Sequence, residues 1–322
     1  MTVSDTLGSL GESACLARIF PLLPSAAAEL LGPGDDAAVV EAPDGRFVVT
    51  TDMMIHGPDF RLAWSSPHDL GWKAAASNLA DIAAMGARPT ALVVAIAAPA
   101  TSPISLLEGI ATGLRDGCAA MAPGCGVVGG DLSVSSTLTI AVTAFGDLDG
   151  RDPVLRSGAR VGDVVAVSGV LGDAAAALRL LFAEAVDSTG EPDGRLAAAL
   201  RHRTSAQLAP TPPIGDGLLA ALGGATAMLD LSDGLAIDAA RLGRASGVAL
   251  HFNSAMLGAD AELALGGGED HSLLATFPAS ASLPGGFRRI GSVAAGAGLL
   301  MDGDPVGSAG WDPYRGWNGG RG

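Results

Sequence analysis

Acidic residues beside glycines and short apolar runs constrain this chain more than any other feature of its sequence. The clearest case is GPGDDAAVV, residues 32–40, where Asp35 and Asp36 follow a Gly-Pro-Gly turn and lead into an apolar segment. Adjacent carboxylates repel each other unless a cation neutralises them. Further acids lie at predicted element ends or on a predicted helix: Asp52, Asp81, Asp131, Asp230, Asp233, Glu269 and Asp270. Such a set predicts a site where a hard cation collects oxygen ligands from several elements.

Each acid also has an ordinary structural interpretation. An aspartate at a glycine turn is common turn chemistry, and the pair 232–233 could simply cap the helix that follows it. Asp81 could be an exposed residue paired with Arg88 or Lys73, and the pair 269–270 could be solvated. Only 16% of the residues are charged, so the repeated placement of acids favours the metal-binding interpretation.

The apolar pattern predicts strands and helices that alternate along residues 30–148. Predicted strands are AAVVEA, RFVVTTDMM, ALVVAIAAP, GVVGGD and TLTIAVTAFGDL, with Asp52 and Asp131 at the ends of two of them. Predicted helices are residues 12–31, which two prolines interrupt, the segment SPHDLGWKAAASNLADIAAMGA and the segment SPISLLEGIATGLRDGCAAM. The second helix begins at a Ser-Pro cap and closes at Gly86.

One face of this second helix carries polar groups. Lys73, Ser77 and Asp81 recur every four residues, and Asn78 lies three residues before Asp81. On a helix this spacing points an ammonium, an amide and a carboxylate in similar directions. The helix is therefore expected to contribute to the site.

The fold class that this pattern predicts is α+β, in two domains. A turn-rich polar patch near 149–153 suggests that residues 1–149 form a mixed α/β sheet domain and residues 150–322 form a second α/β domain. The second half has strand-turn-helix patterns at GDVVAVSGVLGDAAAALRLL and ATAMLDLSDGLAIDAARLGRASG, followed by a strand in HSLLATF. Residues 183–197 are polar and are predicted to form a loop.

Composition and missing motifs exclude several classes of function. A net charge of −15 over 322 residues argues against nucleic acid or an anionic membrane surface as a partner. The N-terminus lacks a basic signal region, the apolar runs are too short to span a bilayer, and three sparse cysteines suit the cytoplasm. The only lysine follows a tryptophan, so no G-x-x-x-x-G-K-[ST] segment exists. Metal ions on carboxylates, helped by an arginine such as Arg156, would have to neutralise any bound phosphates.

Seven segments of the chain resemble, in the same order, those of thiamine-monophosphate kinases. They are GPGDDAAVV, VVTTDMMIHG, KAAASNLADIAAMGA, VVGGDLS, RSGARVGD, LDLSDGLAIDAARL and GGGEDHSLL, and the resemblance runs from about residue 11 to the tail. It implies the two-domain ATP-binding fold shared with aminoimidazole ribonucleotide synthetase, selenophosphate synthetase and the hydrogenase-maturation carbamoyl dehydratase. It also implies a homodimer with ATP sites near the interface.

The resemblance further implies roles for individual residues. Those similar to the family's magnesium ligands are Asp36, Thr50, Thr51, Asp52, Asp81, Asp131, Asp230 and Asp233. Those similar to its ATP contacts are Gly130, Asp131, Arg156 and Ser232. Thiamine phosphate is expected to meet Glu269 near its pyrimidine and Trp311 against a ring, with Trp317 as the alternative in the tail.

Two positions depart from the family's pattern. The family often has a histidine in a G-x-H-F segment, but GPDF carries Asp59 there, and an aspartate would repel a substrate phosphate. Asp59 stays a candidate substrate-binding residue; His56 could replace the histidine, the loop could be shifted, or the substrate could bind more weakly. The aromatic residue expected ahead of VVGGD is also missing, which leaves Met121 and Pro123 to stack on adenine.

The implied reaction converts ATP and thiamine phosphate into ADP and thiamine diphosphate. The acceptor is a phosphate monoester with a second pKa of about 6, so it is largely ionised at neutral pH and needs no general base. Several Mg²⁺ ions would screen the anionic reactants during direct in-line transfer. The expected catalytic set therefore consists of metal ligands alone.

Other interpretations remain open from the sequence. Selenophosphate synthetase would need a reactive cysteine in a glycine-rich loop, whereas Cys15 lies in the helical context SACLARIF, and the carbamoyl dehydratase would need a C-terminal cysteine. Aminoimidazole ribonucleotide synthetase is one alternative. A non-catalytic Mg²⁺-nucleotide-binding protein is another, supported only by Asp59. A structural Ca²⁺ module is disfavoured, because its ligands would cluster locally in the sequence.

Overall fold

The structure, a computed structural model, describes residues 5–32, 38–307 and 310. In this part of the chain the α-helices are α1 (Leu7–Leu10), α2 (Glu12–Ile19), α3 (Pro67–Ala84), α4 (Ile104–Met121), α5 (Asp173–Glu184), α6 (Gly194–Leu208), α7 (Ile214–Leu222), α8 (Leu235–Ser246) and α9 (Ala261–Gly266). The strands are β1 (Glu29–Leu31), β2 (Val39–Val40), β3 (Val48–Ile55), β4 (Arg88–Ala98), β5 (Gly126–Val134), β6 (Thr139–Asp147), β7 (Val164–Ser168), β8 (Ala227–Leu231), β9 (Ala249–Phe252), β10 (Ser272–Phe277), β11 (Arg288–Ala294), β12 (Gly298–Met301) and β13 (Asp304–Pro305). The predicted α+β class is confirmed.

The first half of the chain forms a four-stranded sheet in the order β3-β6-β4-β5. β4 and β5 are parallel and α4 connects them, whereas β6 is antiparallel to both of its neighbours. α3 and α4 pack together on one face of this sheet. Val49 and Met53 of the edge strand β3 are exposed within the chain, so the opposite face is open there.

α3 begins and ends where the sequence predicts. The N–H of Asp69 donates to Ser66 Oγ and the N–H of Ser66 donates to Asp69 Oδ2, which forms a capping box, and Pro67 occupies the first turn. Gly86, with φ 72°, follows the end of the helix in a conformation that favours glycine. Most α3 side chains are buried, which makes this helix a central element of the core.

The second half of the chain forms a seven-stranded sheet in the order β13-β12-β9-β11-β7-β10-β8. The largest apolar cluster joins this half to the first, because it includes Leu79 and Ile82 of α3 together with Phe277 of β10. α3 also contacts β8. That contact brings Asp230, near the end of β8, to the polar face of α3. The predicted division between residues 149 and 150 stays a prediction.

The predicted bounds of one helix and of one loop are wrong. The helix predicted for residues 12–31 ends at Ile19, because the prolines at 21 and 24 cannot continue it, and residues 29–31 pair with β2 instead. The loop predicted for residues 183–197 is shorter, because Asp193 accepts hydrogen bonds from the first N–H groups of α6 and so starts that helix.

Two predicted strand ends are also wrong. Asp52 lies inside β3 and Asp131 lies inside β5, because pairing with β6 and β4 continues past them. Within the described residues, no helix combines the length and the apolar character needed to cross a membrane.

Candidate functional site

Three predicted acids from three elements lie close enough to act on one another. They are Asp52 of β3, Asp81 of α3 and Asp230 of β8, and with Asp233 they are called the acid cluster below. Burial, followed by the negative charges of Asp230 and Asp52, raises the pKa of Asp81 to about 7. Lost hydration, with the charges of Asp230 and Asp233, also raises the pKa of Asp52. Within the described residues, neither Asp52 nor Asp81 therefore has an ion-pair partner that would offset this repulsion.

The alternation of β3 determines which of its side chains face the acid cluster. Thr50 Oγ1 donates to Asp81 Oδ2 at 2.8 Å, and the N–H of Asp52 donates to Asn78 Oδ1 at 3.1 Å. Thr51 points to the opposite face, where its hydroxyl donates to the Val142 carbonyl at 2.9 Å. Thr50 and Asp52 therefore lie on the side of α3, whereas the predicted ligand between them, Thr51, does not.

His271 borders the acid cluster on the β8 side. Its Nδ1 lies 3.5 Å from Asp230 Oδ2, and its backbone has φ 51°. Burial lowers the pKa of His271, but the hydrogen bond and charge of Asp230, together with the charge of Glu269, outweigh burial and raise it overall. The histidine thus partly compensates Asp230, whereas Asp52 and Asp81 form no ion pair among the described residues.

Asp233 is held by an arginine. Arg241 Nη1 lies 2.6 Å from Asp233 Oδ2 and 2.6 Å from Asp238 Oδ1, and the N–H of Asp233 donates to Asp238 Oδ2 at 3.0 Å. The N-cap of α8 is Gly234, with no capping side chain, so the interpretation of residues 232–233 as a simple cap is wrong.

The donor chemistry of the acid cluster fits a hard divalent cation. Its candidate ligand atoms are carboxylate oxygens and the Thr50 hydroxyl, and burial together with mutual repulsion raises the pKa values of Asp52 and Asp81. Among the described residues, no three His, Cys, Asp or Glu side chains converge tightly enough to enclose a metal ion alone. Mg²⁺ commonly binds one or two carboxylates together with waters and substrate phosphates, so an open arrangement suits it.

A second polar cluster lies on the same face of α3 and consists of Lys73, Gln207 and Glu269. Lys73 Nζ donates to Glu269 Oε2 at 3.0 Å, and Gln207 Nε2 of α6 donates to the same oxygen. Burial raises the pKa of Glu269, but the Lys73 ammonium and the hydrogen bond from Gln207 outweigh it, so the pKa is lowered. Lys73 therefore pairs with Glu269 and not with Asp81, and Glu269 is not merely solvated.

Asp270, the neighbour of Glu269, has a structural contact. It is buried, and its carboxylate accepts the N–H groups of Gly172 and Ala174 at the start of α5. Burial raises the pKa of Asp270 to about 6. The solvated interpretation of this acid is therefore also wrong.

Asp59 interacts electrostatically with residues of both polar clusters. Its Oδ2 accepts the N–H of Ile55 at 2.7 Å. Burial raises the pKa of Asp59, Glu269 raises it further and Lys73 lowers it, while Asp59 in turn raises the pKa of Asp52. Asp59 thus acts electrostatically on the acid cluster and on the Lys73–Gln207–Glu269 cluster.

His56 is poorly suited to replace the histidine missing at position 59. Its ring packs against Phe60, with 5.6 Å between ring centroids. Burial, followed by the positive charge of Arg61, lowers the pKa of His56. The imidazole is therefore uncharged at neutral pH and offers a phosphate no positive charge.

A cavity of about 770 Å³ adjoins β4 and β5. Apolar side chains such as Phe20, Leu107 and Leu114 line much of it, and Gly130 and Asp131 lie along it. A Cβ on Gly130 would lie 2.0 Å from the Val94 carbonyl oxygen, so this close approach requires glycine. An apolar cavity with few polar groups suits a flat heteroaromatic base. Met121 and Pro123, which the sequence suggested for stacking on adenine, are not among the described residues that line this cavity, whereas Leu114 is. Met121 instead packs against the apolar core.

Within one chain, Asp131 is separate from the acid cluster. Its cross-strand row passes through Ala95 and ends at Met53, three strand spacings or about 14 Å away. Asp52 lies in the adjacent row, which ends at Gly130, so the side chains of Asp52 and Asp131 point to opposite faces. The predicted ligands are thus divided between the acid cluster and the cavity.

The remaining predicted residues are less well connected. Arg156 is exposed, and its carbonyl accepts a hydrogen bond from Ser246 at 2.7 Å. Ser232 is half-buried beside the acid cluster, where its carbonyl accepts the N–H of Glu269 at 2.8 Å. The predictions for Asp36 and for the tail tryptophans at 311 and 317 lie outside the described residues.

Comparisons with known proteins identify the family of the chain. Residues 34–148 match the family model described as AIR synthase related protein, N-terminal domain. The thiamine-monophosphate kinase of Mycobacterium tuberculosis is 45% identical over 98% of this chain and 93% of its own length. The chain belongs to the thiamine-monophosphate kinase family. The resemblance inferred from the ordered motifs is confirmed.

Solved structures of this family have the same fold. Thiamine-monophosphate kinase from Stenotrophomonas maltophilia K279a superposes with a TM-score of 0.74 at 31% identity, covering 91% of this chain and 96% of that chain. AaThiL complexed with AMPPCP and TMP superposes with a TM-score of 0.72 at 32% identity, covering 96% and 99%. The predicted α+β fold resembling aminoimidazole ribonucleotide synthetase is confirmed, whereas the division into two domains and the individual residue roles stay predictions.

Two polar residues near Glu269, Gln207 and His271, have no role predicted from the sequence of this thiamine-monophosphate kinase family member. Gln207 lies outside the seven recognised segments, although it is the only glutamine of the chain. His271 lies within GGGEDHSLL, yet nothing in the spacing indicates its contact with Asp230. The only sequence signal for Gln207 is that glutamine occurs once in the chain. The role of His271 becomes visible only in the structure, through its contact with Asp230.

Proposed function

We propose that the chain transfers the γ-phosphoryl group of ATP to thiamine phosphate, giving ADP and thiamine diphosphate. The observation that carries the proposal is the acid cluster, to which β3, α3 and β8 each contribute a carboxylate. Phosphoryl transfer between anions depends on positioning and charge neutralisation, which cations on carboxylates commonly provide. The relatives named for this activity, one of them solved with AMPPCP and TMP, support the choice of donor and acceptor.

We assign cation binding to the acid cluster and its surroundings. The proposed Mg²⁺ ligands at the acid cluster are Thr50, Asp52, Asp81, Asp230 and Asp233. Asp36, Thr51 and Asp131 are proposed as further ligands, of which Thr51 and Asp131 point away from the cluster within one chain. Bound Mg²⁺ would screen the charges of the nucleotide and acceptor phosphates. Thr50 orients the Asp81 carboxylate, and Asn78 holds the β3 backbone at Asp52.

We assign the nucleotide to the cavity beside β5. Gly130, Asp131, Arg156 and Ser232 are the proposed ATP contacts. The apolar side chains of α2 and α4 suit the adenine base, and the exposed guanidinium of Arg156 suits its phosphates. Gly130 lies along the cavity, where its missing side chain allows the close approach of Val94 in β4.

We assign the acceptor to the region between the two polar clusters. Its phosphate would lie at the acid cluster and its pyrimidine ring at Glu269, with Trp311 against a ring. Asp59 lies between these ends, where the acceptor carries its thiazolium cation, and a carboxylate attracts that cation. The departure at position 59 is therefore compatible with substrate binding.

We further propose that the chain acts as a homodimer in the cytoplasm, where ATP is available. Residues 1–149 would supply nucleotide, metal and dimer contacts, and residues 150–322 would supply ATP and substrate contacts. Exposed apolar side chains on and near β3 support an interface: Phe47, Val49 and Met53 are 56%, 54% and 58% exposed.

Product analysis tests the proposed reaction. The protein is incubated with ATP, Mg²⁺ and thiamine phosphate, each omitted in turn, and the thiamine species are separated by chromatography. We expect thiamine diphosphate in equal amount to ADP, and its loss in Asp52→Asn but not in the matched control Asp304→Asn, whose side chain is exposed on β13. ADP release without thiamine diphosphate would show that the acceptor assignment is wrong.

A further inference from the structure

The only lysine and the only glutamine of the sequence meet at a single carboxylate oxygen. Lys73 Nζ and Gln207 Nε2 both donate to Glu269 Oε2. Lys73 and Gln207 are each 6% exposed, whereas the Glu269 side chain is 32% exposed. Because both hydrogen bonds end on Oε2, the second carboxylate oxygen, Oε1, remains able to accept from a ligand.

Gln207 places a second acceptor next to this oxygen. An ionised carboxylate only accepts hydrogen bonds, so the Gln207 amide must present Nε2 to Glu269, which turns its own Oε1 away. That Oε1 is buried, and none of the described residues donates a hydrogen bond to it. A buried carbonyl oxygen without a donor is unfavourable and indicates a donor from outside the described chain. Gln207 Oε1 and Glu269 Oε1 belong to the two side chains of one hydrogen-bonded pair, and both are thus open to a donor.

Charge and chemistry restrict the group that would satisfy both acceptors. The Lys73 ammonium balances the Glu269 carboxylate, so the pair of acceptors favours a neutral donor over a cation. A primary amine on an aromatic ring has two N–H donors and no full charge, and it can donate to two neighbouring oxygens at once. Asp81 lies eight residues further along the same face of α3, a rise of about 12 Å. That length suits an acceptor with a phosphate at one end and an aminopyrimidine at the other.

We propose that Gln207 is a specificity-determining residue whose Oε1, together with Glu269 Oε1, accepts the N–H groups of the amino substituent on the acceptor's pyrimidine ring. This inference rests on the proposed function and adds to it a residue and an atom-level basis for acceptor choice. Lys73 acts as a positioning residue, because it fixes the carboxylate of Glu269 and balances its charge. Binding of the nucleotide is independent of this contact.

The test compares two acceptors in two proteins. Thiamine phosphate and its analogue with hydrogen in place of the ring amino group are assayed with the full-length wild-type protein and with Gln207→Leu. We expect the wild type to lose about 5- to 100-fold in kcat/KM on the analogue. Gln207→Leu should discriminate severalfold less between the acceptors. Its KM for thiamine phosphate should rise, while kcat and the KM for ATP stay within about twofold.

Thr204→Val is the matched control, because Thr204 is also buried on α6, and its hydroxyl donates only to the Leu200 carbonyl at 3.2 Å. It should retain the wild-type discrimination. If the wild type uses both acceptors equally, or Gln207→Leu loses the same factor on each, the amino-group contact is wrong. If the wild type forms no thiamine diphosphate, the proposed function fails and this inference fails with it. The wild-type comparison needs no variant and stays decisive if Gln207→Leu does not fold.

Discussion

Two groups of carboxylates on one face of α3 have opposite electrostatic environments. In the acid cluster, burial and neighbouring acids raise the pKa of Asp81 to about 7. Two turns earlier, Lys73 and Gln207 outweigh the effect of burial and lower the pKa of Glu269. Each group combines a side chain of α3 with a carboxylate from the second half of the chain, Asp230 in one and Glu269 in the other. The difference is whether the protein supplies the compensating charge.

This difference separates two uses of a buried acid. Where the chain provides its own cation, as at Glu269, the carboxylate is fixed and ionised before a ligand binds. Where the described residues form no ion pair, as at Asp52 and Asp81, a ligand that brings positive charge would relieve the repulsion. The uncompensated group is thus the one expected to recruit cations, and the compensated group is the one expected to recognise a neutral part of the substrate.

Removing a charge from the acid cluster should produce the largest effect. Asp81→Asn keeps the hydrogen bond partner of Thr50 but removes a ligand charge, so kcat/KM should fall by at least about 100-fold. The free energy of unfolding should stay equal or rise, because the neutral amide no longer repels Asp52 and Asp230. Steady-state assays and urea unfolding measure the two quantities. Turnover near the wild-type rate would remove the acid cluster from the reaction.

A third carboxylate on this face, Asp69, should behave in the opposite way. It is fully buried and binds Arg201 Nη1 at 2.6 Å as well as Ser66. Burial raises its pKa, but the hydrogen bonds from Arg201 and Ser66 lower it overall. Asp69→Asn should therefore lower the free energy of unfolding by about 2 kcal/mol at pH 7 while leaving KM values nearly unchanged.

The pH dependence of this loss follows from the direction of the shift. The pKa of Asp69 is lower in the folded than in the unfolded chain, so its ionised form stabilises the fold above the unfolded pKa of about 4. That stabilisation disappears as the pH falls through the folded pKa. Urea unfolding at pH 7, 5 and 3.5 should show the difference between wild type and Asp69→Asn shrinking at the lowest pH. If the difference in free energy of unfolding between wild type and Asp69→Asn stayed constant with pH, packing and not the charge of Asp69 would explain the lost stability.

The sequence predicts the long elements well because they contain their own boundaries. The Ser-Pro cap and Gly86 define α3, a continuous apolar run defines β4, and alternating apolar residues define β6. It fails where tertiary pairing decides, as at residues 29–31, which join β2 instead of continuing a helix. It also misplaces Asp52, since the continuation of β3 depends on its partner β6.

The candidate site is predictable only in part for the same reason. Acids at predicted element ends and on the polar face of the predicted helix identify Asp52, Asp81 and Asp230 as a set, because carboxylates at several elements are unusual in a chain with few charges. The sequence does not show that Asp131 faces away from them, since that depends on strand order and register. Gln207 was not assigned, because its partner Glu269 lies far along the chain and no local pattern connects them.

The smallest effect on kcat/KM should come from removing the cation beside Glu269, which leaves this carboxylate without a compensating charge, as Asp52 and Asp81 are. In Lys73→Met the ammonium is lost, so burial dominates and the pKa of Glu269 rises. We expect kcat/KM for thiamine phosphate to fall about 10-fold at pH 7, the value of one broken charged hydrogen bond. The loss should grow between pH 7 and pH 5, because a protonated Glu269 appears at higher pH than in the wild type. Lys73→Arg keeps a cation and should keep a flatter profile. Parallel profiles for Lys73→Met and wild type would show that Lys73 acts through packing, and the contrast between the two groups of carboxylates would then not rest on charge.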